Sequence, residues 1–141
     1  MDTKLQKLNQ QIFKLNHDQN FGNDDFYVSK SNKHILNLFN QWPKWEKNFL
    51  NICGESFSGK THLINIFIKR FKGIKFKSTF FNNENLKEIG NQKNIIIENL
   101  DENINEKLIY SLFNIIDQEN KFLIITSKLP IVDIKFQLED L

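Results

Sequence analysis

Blocks of apolar residues alternate with polar stretches along the chain, and their lengths and periods predict helices alternating with strands. Ser31 can cap a helix that continues to Trp42, where Pro43 breaks it. Short apolar runs predict strands at 49–53, 74–78, 94–97 and 122–125. Helical patterns between these runs predict helices at 60–71, 84–89 and 105–118. This order implies a mainly parallel sheet with right-handed crossovers.

The apolar pattern also divides the chain into an arm and a core. Residues 1–25 are polar and rich in Asn, Gln and Asp, so we predict that they form a flexible arm. Residues 26–141 contain no repeat and no linker, and they are expected to form a single α/β core. The helix predicted at 60–71 is apolar nearly all round, so we expect it to be buried.

Composition narrows the class of protein. The 14 phenylalanines suit a core, and the net charge of +2 is small. No cluster of Lys and Arg resembles a DNA-binding stripe, so strong DNA binding is not expected. The single Cys53 excludes an intramolecular disulfide and suits a reducing compartment. A polar N-terminus and the lack of a membrane-length apolar run favour a cytoplasmic location without membrane binding.

One segment carries a phosphate-binding pattern. It consists of Gly54, Glu55, Ser56, Phe57, Ser58, Gly59, Lys60 and Thr61 and fits G-x-x-x-x-G-K-[ST]. The glycines let backbone N–H groups turn towards a polyphosphate, and the following helix adds the positive end of its dipole. Lys60 can reach the β and γ phosphates, and the Thr61 hydroxyl can ligate Mg²⁺. The alternative is a glycine turn beside a surface lysine.

A magnesium site also needs an acid at the end of a neighbouring strand. Glu98 follows the predicted strand 94–97 and fills that place, although a plain strand-end acid is the alternative. Asn99 cannot accept a proton at neutral pH. Asp101 is a candidate catalytic acid only if the loop bends it back, and otherwise it is a solvated turn residue.

The end of the next predicted strand supplies two hydroxyl groups. Thr126 and Ser127 are candidates to contact the γ-phosphate or the attacking water. The alternative for both is a hydroxyl that hydrogen-bonds backbone at the end of a strand.

Three spaced groups of residues carry a resemblance to a known family. They are Phe26, Val28 and Asn32; Trp42 and Trp45; and Lys60, Thr61, His62 and Leu63. Over residues 11–141 the chain resembles the bacterial replication initiator DnaA family, with Trp42-Pro43-Lys44-Trp45 similar to a signature of its shorter branch, the regulatory inactivator Hda. Residues 96–101 and 122–127 fall where that family has its Walker B acids and its sensor 1 strand.

The resemblance implies a fold, a cofactor and contacts. The fold is a three-layer α/β P-loop NTPase of the AAA+ type, with a mainly parallel five-stranded sheet in the order 5-1-4-3-2. The cofactor is ADP or ATP with Mg²⁺, held by the phosphate loop, by His62 and by an adenine-contacting segment at Phe26, Val28 and Asn32. Thr61 and Glu98 are the implied metal residues.

Two departures from the family bear on hydrolysis. Asn99 stands where many relatives have a second acid, and the only arginine is Arg70. The family uses an arginine finger late in the core and a second arginine in a helical lid. The sequence reaches Leu141 about where that finger is expected and has no lid, so we expect a C-terminally incomplete core, either a fragment or a reduced gene product.

The resemblance therefore indicates a replication-regulatory module that binds an adenine nucleotide and docks on DnaA. A possible tether to the sliding clamp is formed by Gln11, Ile12, Phe13, Lys14 and Leu15, with a plain amphipathic arm as the alternative. Rival readings are an active P-loop ATPase, such as a helicase loader or an initiator fragment, and a small P-loop kinase. The single arginine argues against autonomous ATPase activity.

Overall fold

A computed structural model of the protein describes residues 10–15, 30–55 and 59–134, with backbone only at 10–15 and 30–32. The strands are β1 (Gln10–Leu15), β2 (Phe49–Gly54), β3 (Ile74–Lys77), β4 (Asn94–Leu100) and β5 (Phe122–Ser127). The helices are α1 (Lys30–Gln41), α2 (Lys60–Phe71), α3 (Asn83–Ile89) and α4 (Glu106–Gln118). Two 3-10 turns lie at Ser78–Phe80 and Ile131–Asp133. The alternation of strands and helices predicted from the apolar pattern is confirmed.

All strands are parallel, and their order is β1-β2-β5-β4-β3. The four strands predicted from the sequence therefore form the core of the sheet in the order 1-4-3-2, as expected. The fifth strand expected after them is not found, because no strand follows β5 among the residues described up to 134.

The edge beside β2 is occupied instead by β1, a strand from the segment that we expected to be a flexible arm. Its six residues pair in parallel with β2, from Gln10 opposite Phe49 to Leu15 opposite Gly54. β1 therefore ends beside the first residue of the predicted phosphate loop. Residues 11–15, which were expected to form the clamp tether, belong to this strand. The structure describes only their backbone.

Helices cover both faces of the sheet, because successive side chains of a buried strand point to opposite sides. On one face, Ile96 and Ile124 pack with α1 and α2. On the other face, Ile95, Ile97 and Ile125 pack with α4. The result is a three-layer α/β arrangement in which even-numbered residues at the centre of β4 and β5 face α2.

The expectation that α2 is buried is met on one face only. Leu63, Ile64 and Phe67 are fully buried against the sheet and α1, whereas Thr61 and His62 are exposed. The helix lies on the outside of a three-layer fold, so nothing covers its outer face in the described part of the chain. In that part, no helix has the length and apolar character needed to cross a membrane.

Candidate functional site

The two ends of the predicted phosphate loop lie between a strand and a helix. β2 ends at Gly54, and α2 begins directly after Gly59, whose carbonyl accepts a hydrogen bond from Leu63 N–H at 3.1 Å. Gly59 has φ 97°, in the left-handed region that favours glycine. Ser56, Phe57 and Ser58 lie outside the described residues.

Lys60 is buried at the first position of α2, with 8% of its surface exposed. Its ammonium donates hydrogen bonds to the Gly54 carbonyl and, at 2.8 Å, to the Glu55 carbonyl. Burial lowers the pKa of Lys60 below its ordinary value of 10.5; Glu55 and Cys53 oppose this shift, and Lys128 adds to it. A positive charge is thus held at the start of a helix, at the C-terminal edge of a parallel sheet.

Glu98 is the acid that lies towards the same helix. It is a residue of β4, two positions after Ile96, so its side chain shares the face of the sheet that α2 covers. β4 continues to Leu100, and the expectation that the strand ends at residue 97 is wrong. Glu98 is nevertheless buried, at 3% exposure.

A chain of polar contacts joins Glu98 to α2. The Lys75 ammonium on β3 lies 3.8 Å from Glu98 Oε1 and donates a hydrogen bond to Asn65 Oδ1 at 3.2 Å. Asn65 is four residues after Thr61, so both lie on the same side of α2. Thr61 therefore lies on the side of α2 that Lys75 reaches through Asn65. The other oxygen of Glu98, Oε2, is buried without a hydrogen-bond partner among the described residues.

These two residues fit a magnesium ion. Mg²⁺ prefers oxygen ligands and is commonly bound through one or two carboxylates, water and the phosphates of a nucleotide. A hydroxyl at the start of α2 and a buried carboxylate oxygen with no hydrogen-bond partner in the described part of the chain are ligands of this kind. The fit depends on Glu98 Oε2, because a buried charged oxygen is costly unless something compensates it.

The other acid candidate, Asp101, lies in a turn away from these contacts. It is exposed, and its Oδ1 accepts a hydrogen bond from Asn103 N–H at 2.9 Å. Asp101 is therefore a solvated turn residue, which was the alternative interpretation of the sequence. Asn99 precedes it at a register shift in β4, with φ 61° and an exposed side chain.

Thr126 and Ser127 lie on opposite faces of the sheet. Thr126 is buried on the α2 face, and its Oγ1 accepts a hydrogen bond from Asn99 N–H at 3.0 Å. Ser127 Oγ donates to Leu129 O at 2.6 Å and accepts from Asn51 Nδ2 at 3.0 Å. Both hydroxyls thus hydrogen-bond backbone groups, which is the structural alternative, and Thr126 is the one on the side of Glu98.

Comparison with models of protein families, with curated protein sequences and with solved structures finds no match. The resemblance to the DnaA family therefore rests on the sequence residues named for it above. Of these, Phe26 and Val28 lie outside the described residues, and only the backbone of Asn32 is described. His62 is exposed on the first turn of α2.

Sequence reasoning missed Asn51 and Lys75. Asn51 is fully buried in β2, where its amide bonds Ile125 O at 3.0 Å and Ser127 Oγ, and its Oδ1 accepts from Ile131 N–H at 2.8 Å. A lone Asn within an apolar strand was the available signal. For Lys75 the available signal was the alternation of Lys with apolar residues in β3. That pattern does not identify Glu98 as its partner, because the pairing depends on tertiary structure.

Proposed function

We propose that the chain binds the polyphosphate of an adenine nucleotide, ADP or ATP, together with Mg²⁺, at the loop between β2 and α2. The observation that carries this proposal is the buried Lys60 ammonium at the start of α2. Its described hydrogen-bond partners include the Gly54 and Glu55 carbonyls, which a polyphosphate can replace as acceptors. Helix N-termini at the C-terminal edge of parallel sheets favour anions, because unpaired N–H groups and the helix dipole are both positive there.

Each residue of the site has a role in this proposal. Lys60 neutralises phosphate charge, and the first N–H groups of α2 donate to phosphate oxygens. Thr61 and Glu98 hold Mg²⁺, Glu98 through a metal-bound water. The ion, when bound, adds positive charge to the terminal phosphates. Thr126 lies beside Glu98 on the same face and is suited to contacting the terminal phosphate.

We expect little hydrolysis from the isolated chain, in contrast to the rival reading as an active ATPase. The amide of Asn99 cannot act as a base, and Asp101 is held in an exposed turn. Arg70, the only arginine, is ten residues after Lys60 along α2, a rise of about 15 Å, and bonds Asn40 on α1. No arginine of this chain is therefore placed near the phosphates.

Calorimetric titration with ADP and ATP in Mg²⁺ tests the proposal. We expect wild-type protein to bind both nucleotides and Lys60→Met to weaken binding at least about a hundredfold, because a charge-assisted contact is lost. Lys69→Met, an exposed lysine on the same helix, is the matched control and should bind as wild type. Equal affinity of the two variants, or no binding by wild type, would overturn the proposal. Steady ATP turnover that Lys60→Met abolishes would favour the ATPase reading.

The resemblance to the DnaA family supports a second, narrower proposal: the module regulates replication by docking on a DnaA-type initiator and tethers to the sliding clamp through residues 11–15. These residues form β1, so clamp binding would require the strand to leave the sheet. A pull-down with the clamp compares wild type with a Gln11→Ala, Phe13→Ala double variant. Equal capture of both proteins, or capture of neither, would exclude the tether.

A further inference from the structure

Glu98 is a buried carboxylate, and Lys75 is its counter-ion. A buried charge is costly unless it is paired, and no other cation of the described residues lies within 4.0 Å of Glu98. Lys75 reaches it from β3 with about one third of its side chain exposed, at 34%, while the Glu98 side chain is 4% exposed. A flexible lysine at the surface thus compensates a fixed charge in the interior.

The contacts of Lys75 fix where its charge lies. Its ammonium is held between Asn65 on α2 and Glu98 Oε1 on β4, and so joins the helix that begins the phosphate site to the strand that carries its acid. Oε1 is engaged by the ammonium, and Oε2 is left without a partner in the described part of the chain. The two oxygens can therefore serve two cations, an ammonium and a hydrated metal ion.

We propose that Lys75 is a positioning residue of the phosphate site, the built-in counter-cation of Glu98, which lets the site hold a nucleotide polyphosphate without a divalent metal. This proposal rests on the proposed function of the chain. Without Lys75, the Glu98 carboxylate presents an uncompensated negative charge to the phosphates and repels them. Mg²⁺ supplies the missing positive charge, so the loss of Lys75 weakens nucleotide binding mainly when Mg²⁺ is absent.

The test is ADP affinity in excess EDTA and in excess Mg²⁺. We expect Lys75→Met to weaken binding about tenfold in EDTA and less than about twofold in Mg²⁺, as one unpaired charge near the phosphates implies. Lys75→Arg should restore the EDTA affinity. Lys77→Met is the matched control: Lys77 lies opposite Glu98 in the β3–β4 register, but the described residues give it no ion pair. It should bind as wild type under both conditions.

A double-mutant cycle separates the pairing from general charge loss. In a Glu98→Gln background, Lys75→Met should no longer change ADP affinity in EDTA. Without nucleotide, Lys75→Met should lower the melting temperature more than Lys77→Met does, and only when Glu98 is present. Equal losses in EDTA and Mg²⁺, a loss matched by Lys77→Met, or a loss that persists in the Glu98→Gln background would overturn the proposal. If wild type binds no ADP under either condition, the proposed function fails and this inference with it.

Discussion

Lys60 is the residue in which burial and the proposed function oppose each other. Burial favours the neutral amine, whereas a polyphosphate requires the ammonium, so a bound nucleotide must raise the pKa that burial has lowered. The Gly54 and Glu55 carbonyls accept from Lys60 and hold the ammonium where, on the proposed function, phosphate oxygens would replace them. The pH dependence of stability and of binding should therefore have opposite signs.

The pKa of Lys60 is below 10.5 in the folded chain and near that value when unfolded. Between the two values the unfolded chain holds more protons, so stability contributed by this group rises with pH in that window. ADP affinity should fall over the same window, because the ammonium is lost. ADP titrations at pH 7–10 measure the affinity, and urea unfolding over the same pH range measures the stability. A Lys60→Met variant that keeps the wild-type pH dependence would contradict this assignment.

Glu98 and Asp101 are three residues apart but differ in environment, and their amide variants should differ accordingly. Glu98→Gln should weaken Mg²⁺-dependent ADP affinity about tenfold, the usual effect of losing a carboxylate that positions a metal-bound water. Asp101→Asn should change it little, because an amide oxygen can still accept from Asn103 N–H. Titration of Mg²⁺ at fixed ADP measures the difference, and equal effects would show that Asp101 also reaches the metal.

At the scale of elements, one buried amide holds the end of the sheet together. Asn51 on β2 bonds the carbonyl of Ile125 on β5 and the N–H of Ile131 in the turn that follows. It also fixes the Ser127 hydroxyl. β2, β5 and the chain after β5 are therefore joined at the edge where the predicted phosphate loop begins.

Asn51→Leu keeps the approximate shape of the side chain but leaves these buried groups without partners. We expect a loss of about 3 kcal/mol in the free energy of unfolding, since each unsatisfied buried group costs about 1–3 kcal/mol. Asn114→Leu, an exposed position on α4, is the control and should change stability little. Urea denaturation measures both, and comparable losses would show that the hydrogen bonds of Asn51 do not matter.

β1 is the element for which prediction and structure differ, because a segment predicted to be a flexible arm forms an edge strand of the sheet. Removal of residues 1–15 should lower the melting temperature by at least about 5 °C, because β2 then becomes an unpaired edge. Removal of residues 1–9 alone keeps β1 and should leave the melting temperature unchanged. Thermal unfolding by circular dichroism compares the two. If both truncations melt like wild type, the β1–β2 pairing contributes no stability.

The elements with strong local signals were predictable from the sequence. The helices at 83–89 and 106–118 and strand β5 lie within two residues of where the pattern placed them, because capping and burial are local properties. β1 was not predictable, since its short segment lies within a polar stretch and its pairing with β2 joins segments far apart in sequence.

The site was predictable in part, for a similar reason. The glycine pattern identifies Gly54, Gly59 and Lys60, and the end of an apolar run identifies Glu98. Lys75 and Asn51 were missed because their roles come from partners on other strands. The faces of Thr126 and Ser127 could be separated only after the register of β5 was known, since neighbouring strand residues point in opposite directions.

For the molecule as a whole, the strand order has a consequence for synthesis on the ribosome. β5 is the last described strand to be made, yet it lies between β2 and β4. Until translation has passed Ser127, β2 with α2 and β3 with β4 share no hydrogen-bonded edge, and Lys60 and Glu98 belong to separate halves. The nascent chain therefore carries two open strand edges, and the proposed nucleotide could not act as a folding template until β5 closes the gap.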